Sequence, residues 1–152
     1  MITVEQPADM AAHAGQRIGH SDWMRIDQEA ISAFARLTGD DHWIHVDPER
    51  ASRDMPGGRT IAHGLHMVSL MPRLQREIYA IRKRGRGLNY GYDKIRFVAP
   101  VPVDSRIRLA LTVVEAAPHA RGTRLVCDAT IEVEGMDSPA VVARHILLLE
   151  NG

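Results

Sequence analysis

Apolar positions recur at helical spacing in the first half of the chain and at every second residue in the second half. Ile31, Phe34, Ala35 and Thr38 form one stripe; Asp27 fits an N-cap before them and Gly39 a stop after them, which predicts a helix between the two. Asp47-Pro48 is a cap and first-position pair for a short helix through Ser52, with Glu49 well placed in its first turn. The segment Asp40-Asp41-His42-Trp43-Ile44-His45 connects these helices, and Met55-Pro56-Gly57-Gly58 reads as a turn. From about Ala62 to Arg84 the pattern predicts the longest helix, with Leu65, Val68, Leu70 and Leu74 in its apolar half. Pro72 should kink it, and Gly85 and Gly87 should close it. Residues 1–20 carry scattered Ala, Gly and Pro without a period, so 1–15 is expected to be an irregular lead-in.

The period then changes to two. Ile107, Leu109, Leu111 and Val113 alternate with Arg106, Arg108, Ala110 and Thr112. Leu125, Cys127, Ala129, Ile131 and Val133 alternate with Arg124, Asp128, Thr130, Glu132 and Glu134. Both runs predict half-buried strands with one wet face. Two further strands are expected at about Tyr90 to Val98 and Pro139 to Leu149, separated by Pro100 and Pro102, by Pro118 to Gly122, and by Gly135 to Ser138. Consecutive strands with short connections predict an antiparallel meander. Behind a long apolar helix they give an α+β layer in which the sheet wraps the helix.

A length of 152 residues suits one domain, 1–152, and a hydrophobic fraction of 45% is that of an ordinary globular protein. Nineteen basic against nineteen acidic side chains leave no net field to hold a phosphate backbone, which argues against nucleic acid as a partner. Cys127 stands alone, so neither a disulfide framework nor a multi-cysteine zinc site is expected; on its strand it should be packed inside. No apolar run approaches membrane-spanning length, and the N-terminal residues lack the pattern of a secretory signal. A cytoplasmic protein without a membrane partner is the expectation.

Six of the eight histidines fall at His13, His20, His42, His45, His63 and His66, with Asp40, Asp41 and Asp47 close by in sequence. Imidazole and carboxylate suit a metal ion, but no metalloenzyme spacing is present, and caps and surface turns account for such counts more often. A second reading uses Asp40 and His45 alone. An acid and an imidazole five positions apart on a loop can converge on one water molecule and move its protons, the chemistry of reactions that add or remove water. Gly64 stands near the start of the long helix, where unpaired amides point outward. There it either lets a ligand's oxygen approach the backbone or simply allows close packing.

The stretch Phe34-Ala35-Arg36-Leu37-Thr38-Gly39-Asp40-Asp41-His42-Trp43-Ile44-His45-Val46-Asp47-Pro48 resembles the hydratase motif of the MaoC-like dehydratases, the (R)-specific enoyl-CoA hydratases. Thr60-Ile61-Ala62-His63-Gly64 is similar to that family's approach to its central helix. Asn89-Tyr90-Gly91 and Arg96-Phe97-Val98-Ala99-Pro100-Val101-Pro102-Val103 resemble the branch of nodulation protein N. The resemblance runs from about Gln16 to Leu149. It implies a hot-dog fold, a long helix wrapped by a curved antiparallel sheet, and a homodimer. It further implies fatty acid metabolism, with an acyl-CoA or acyl-carrier thioester as substrate and no cofactor beyond that thioester. Asp40 and His45 would then hold the water, Gly64 would receive the thioester carbonyl, and His63 and Ser69 would lie with it in substrate binding. The family reaction is reversible hydration of a trans-2-enoyl-CoA to an (R)-3-hydroxyacyl-CoA.

The chain departs from that pattern. His42-Trp43 replaces a common Asn-Pro, Asp41-His42 replaces the His-Gln of close relatives, and Pro72 stands near a position where some hydratases carry a hydroxyl. Other readings are an acyl-CoA thioesterase, since the same fold hosts hydrolysis, a non-catalytic acyl-CoA-binding protein, and, last, a metal-dependent hydrolase. Arg82-Lys83-Arg84-Gly85-Arg86 reads either as a contact for phosphates or an acidic carrier, or as charge that complements a helix C-terminus. Val46 to Thr60 is either a flap over the acyl chain or a surface loop.

Overall fold

Asp27 accepts the Ala30 N–H at 2.9 Å, and helix α1 (Gln28–Thr38) begins there. It stops at Gly39, whose φ of 77° lies in the left-handed region and brings its N–H to the Ala35 carbonyl. His42 opens the single turn α2 (Trp43–Val46). Asp47 caps α3 (Pro48–Asp54) by accepting the Arg50 N–H, with Pro48 where no amide partner is needed. The caps expected at Asp27, Gly39 and Asp47 are all present in the computed structural model, which describes residues 1–152.

The central helix α4 (Gly64–Leu74) is shorter than its apolar pattern predicts. Pro72 removes one main-chain donor, and after Leu74 the backbone tightens into a 3-10 turn, Gln75–Glu77. Ile78 is buried, and the next three residues form a strand, β4 (Tyr79–Ile81), parallel to β1 (Ile2–Val4). Arg82 to Arg86 therefore leads into a strand and is not a helix end. Arg82 pairs with Glu5 at 2.8 Å and Arg86 with Glu150 at 2.8 Å.

Residues 1–15 are also more ordered than expected. After β1, Pro7–His13 forms a 3-10 helix whose Met10 is completely buried, and the Gln6 N–H bonds the Asp9 carboxylate at 2.9 Å. Two anchors, Pro7 and Met10, suffice to hold this segment and are too few to leave a periodic signal.

The main sheet adds β2 (Arg17–His20), β3 (Met24–Arg25), β5 (Arg84–Phe97), β6 (Arg106–His119), β7 (Gly122–Val133) and β8 (Val141–Asn151). Its order is β2-β6-β7-β8-β5, with β3 also against β6, and all pairs are antiparallel. The expected meander holds for β6-β7-β8. Strand β5 instead crosses to the far side of β8, because the Pro-rich connection passes under α4's approach, where Val101 is buried and Pro102 bridges Ile61.

Alternation along the strands sends Leu109, Leu111, Val113, Leu125, Cys127, Ile131, Ala143 and Leu147 inward, into one apolar cluster with Met67, Met71 and Leu74 of α4. The opposite face carries ion pairs such as Arg144–Asp128 at 2.9 Å and Arg108–Glu132 at 2.6 Å. Exposed pairs contribute little, so burial of the inner face sets the strand register.

Candidate active site

Three short connections place the polar residues at the N-terminal end of α4. In α2, His45 is buried, and its Nδ1–H donates to the Ile61 carbonyl at 2.7 Å. That bond fixes the neutral tautomer and leaves the lone pair on Nε2. Burial holds the imidazole below its ordinary pKa. The Ile61 bond and Asp40 pull it up, while His63 and His42 push it further down.

Gln28 fastens the walls around this ring. Its amide nitrogen donates to the His45 carbonyl at 2.8 Å and to Ser32 Oγ at 3.1 Å, and its amide oxygen accepts from Thr60 Oγ1 at 2.6 Å. His42 Nδ1 accepts the Ile44 N–H at 3.4 Å, so the imidazole acts as N-cap where the family pattern has Asn. The departure at His42 therefore keeps a cap on the loop.

Asp40 follows the left-handed Gly39 and is exposed to solvent. Its carbonyl accepts from His63 Nε2 at 2.8 Å. His63 is buried, with only 3% exposure, and stacks on His45 with ring centroids 3.7 Å apart and planes 21° from parallel. Its Nδ1 has no partner, at a cost of about 1–3 kcal/mol for a buried acceptor. Asp40, His45 and His63 each bring a potential ligand atom within 4.8 Å of the others. Imidazole lone pairs lie in the ring plane, however, and two stacked rings hold theirs in two separate, nearly parallel planes. That is a poor arrangement for two nitrogens to meet at one ion about 2 Å away.

Gly64 is the first residue of α4, and its N–H has no intrahelical acceptor. A Cβ here would lie 2.5 Å from the Phe97 ring, so the glycine is what lets Phe97 lie across the helix start. Gly64, His45, Phe97 and Met67 line one cavity of about 260 Å³, closed on its other sides mainly by apolar residues such as Ile61, Val101 and Val141. The site thus brings an acceptor nitrogen and an open backbone N–H to an apolar pocket, with the Asp40 carboxylate outside its lining but within 4.8 Å of a His45 ring nitrogen.

Of the residues expected here, His45 and Gly64 line the cavity together, and Asp40 lies beside His45 but outside the lining. His63 lies behind His45 and does not line the cavity. Ser69 is exposed on α4 and donates to its own helix, at the Leu65 carbonyl 2.8 Å away, so its hydroxyl is not presented to the pocket. His66 is buried and stacked on Phe34 at 4.8 Å. Gln28, Thr60 and Phe97 were not anticipated in these roles. A glutamine at the first position of a helix and a threonine in a loop are ordinary residues, and only tertiary structure brings them together.

The comparisons with known proteins agree with this geometry. A MaoC-like domain is matched over residues 9–136. The chain is 47% identical over 148 residues to 3-hydroxyacyl-thioester dehydratase Z of Mycobacterium tuberculosis, covering 97% of each chain. It is 37% identical over 147 residues to nodulation protein N of Rhizobium leguminosarum bv. viciae, covering 94% of this chain and 90% of that one. Among solved structures, the unliganded R-hydratase PhaJ1 from Pseudomonas aeruginosa superposes with a TM-score of 0.74 at 19% identity, covering 91% of this chain and 83% of that one. A central helix in an antiparallel sheet, the Gly39-Asp40 and His45 spacing and these relatives lead to one assignment: the chain belongs to the MaoC-like dehydratases, hydro-lyases of the hot-dog fold, in the branch that includes nodulation protein N.

Proposed function

We propose that this protein, as one domain over 1–152, catalyses the reversible addition of water to a trans-2-enoyl thioester to give an (R)-3-hydroxyacyl thioester. The observation that carries the reading is the His45 Nδ1–Ile61 bond, which leaves Nε2 as an acceptor on a residue that lines the same cavity as Gly64, with the Asp40 carboxylate within 4.8 Å of a His45 ring nitrogen. The name of the mycobacterial relative supports the thioester class.

In the hydration direction the Gly64 N–H receives the thioester carbonyl oxygen and draws electron density from the β-carbon. A water molecule donates one hydrogen bond to His45 Nε2 and the other to the Asp40 carboxylate, which turns an oxygen lone pair toward that carbon. As the carbon–oxygen bond forms, one water proton passes to an acceptor of the pair and a proton is delivered to the α-carbon, so the enolate collapses to the product. Dehydration runs the same steps backwards. The neutral, buried imidazole suits an acceptor role near neutral pH.

The partner we assign is a second copy of this chain. Strand β5 is fourteen residues long and forms an edge of the sheet, with Leu88, Tyr90, Phe97 and Val98 exposed along or just beyond it and Leu65 exposed on α4. A long edge presents a row of unpaired N–H and C=O groups, a template for pairing with another chain. No helix is long and apolar enough to cross a membrane.

The test is loss of enoyl-thioester absorbance with crotonyl-CoA and longer trans-2-enoyl-CoAs, followed by configuration analysis of the product. Turnover to an (R)-3-hydroxyacyl-CoA is expected. Release of free thiol instead would identify a thioesterase, and binding without turnover a non-catalytic protein.

A further inference from the structure

His63 has no place in the mechanism above, yet it touches both members of the catalytic pair. We infer that His63 is a positioning residue: its Nε2–H clamps the peptide that carries the Asp40 carboxylate while its ring, stacked on His45, fixes the plane from which Nε2 of His45 meets the water. This deepens the hydratase reading and rests on it.

Four observations carry the inference. The bond to the Asp40 carbonyl, at 2.8 Å, joins the exposed loop after α1 to the residue that caps α4. Apart from it, the one polar contact of Asp40 is a long bond of its N–H to Thr38 Oγ1 at 3.4 Å. The clamp is therefore the firm attachment of that carboxylate's backbone. The 3.7 Å stack leaves His45 no room to rotate toward α4, and Phe34 packs against His63 at 4.9 Å to hold the stack from behind. Finally, His63 is only 3% exposed and takes no part in the cavity lining, so it reaches the pair from behind and not from the substrate side.

A consequence follows for protonation. The titratable groups that act on His45 are Asp40 and His42 from the loop before α2 and His63 from the approach to α4; His66, one turn further on, is coupled to His63. His63 is one of the causes that hold the His45 imidazole below its ordinary pKa, after burial.

The test uses His63→Phe, which keeps a stacking ring without donor or charge, and His63→Gln, which restores an N–H donor without charge. Steady-state kinetics on crotonyl-CoA should show kcat reduced roughly 10-fold or more in the Phe variant with KM little changed, and part of the loss recovered in the Gln variant, which restores the donor but not the stack. In both, the acid limb of the pH–rate profile should move to higher pH. A Phe variant with wild-type kcat, a loss confined to KM, or a Gln variant no better than Phe would overturn the inference.

Histidine ring nitrogen NMR on the same proteins gives an answer independent of turnover. Wild-type protein should show His63 as the Nε2–H tautomer and His45 as the Nδ1–H tautomer, with the His45 titration moving upward in both variants. A His45 ring whose tautomer and titration ignore His63 would refute the inference even in an active enzyme. A wild-type protein with the expected tautomers but no turnover would refute the hydratase reading and leave the clamp standing. Should the Phe variant fail to fold, the Gln variant alone decides, by its pH limb and its His45 titration.

Discussion

His45 donates its Nδ1 hydrogen to the carbonyl of Ile61 across 2.7 Å, and this bond decides which face of the ring is chemically available. With Nδ1 occupied, Nε2 is the acceptor, and the Asp40 carboxylate lies within 4.8 Å of a His45 ring nitrogen. Asp40→Asn and His45→Gln should each lower turnover by roughly 10²-fold or more, with the fold retained by circular dichroism. Near-normal turnover in either variant removes that residue from the mechanism.

Gly64 and Phe97 form a second pair. Because a Cβ at 64 would lie 2.5 Å from the ring, Gly64→Ala must push Phe97 aside or shift α4. The expected result is a lower melting temperature and lower turnover. Adding Phe97→Ala should recover part of the melting temperature, since the colliding ring is gone. A double variant that loses stability additively would show that the two residues do not meet in solution.

His145 gives a prediction about pH. It is buried on the inner face of β8, stacks on Tyr92 at 4.6 Å and donates Nε2–H to Asn89 Oδ1 at 2.8 Å. Burial brings its pKa down to about 4. Between that value and the ordinary imidazole value near 6.5, the unfolded chain binds a proton that the folded chain refuses. Stability contributed by the neutral ring is complete above about pH 6.5 and is lost as pH falls toward 4, by about 3 kcal/mol at most. Urea midpoints measured across that window should fall with pH, and His145→Phe should flatten the slope. An equal slope in the variant would assign the acid sensitivity to other groups.

The exposed edge supplies the last prediction. Tyr90→Glu, placed in the middle of β5, should shift a dimer toward monomer in sedimentation velocity, because it sets two carboxylates near the self-pairing edge. A monomeric wild-type protein, or a variant that sediments as wild type does, would dismiss this edge as the contact.

Much of this architecture could be read from the chain. Asp27 and Gly39 bracket α1 because caps are local chemistry, and the inner faces of β6 and β7 appear as a strict alternation because one side of those strands is wet. The central helix is shorter than its pattern predicts because the apolar run Ile78 to Ile81 suits a helix and a buried strand equally. The partner that decides for the strand, Ile2–Val4, lies far away in sequence. The same divide separates site residues. Asp40 and His45 are visible as a spacing on one loop, whereas Gln28 contributes through two bonds to segments 17 and 32 residues distant. His63 was visible as a candidate, but its burial behind His45 was not, since a histidine before a helix glycine looks the same whether it faces a ligand or the core.

Gln28 also bears on how the pocket can open. One side chain ties α1, the α2 turn and the Thr60 loop together, so the helical wall of the cavity moves as a single body or not at all. The opposite wall is made by Phe97 and Val98 at the end of an edge strand, more than half exposed and held by packing alone at the side chain. The two walls therefore differ in kind: His45 sits on the one that a single glutamine braces, while across from it the backbone is fixed to Val141 and Ala140 and any give belongs to the exposed Phe97 ring.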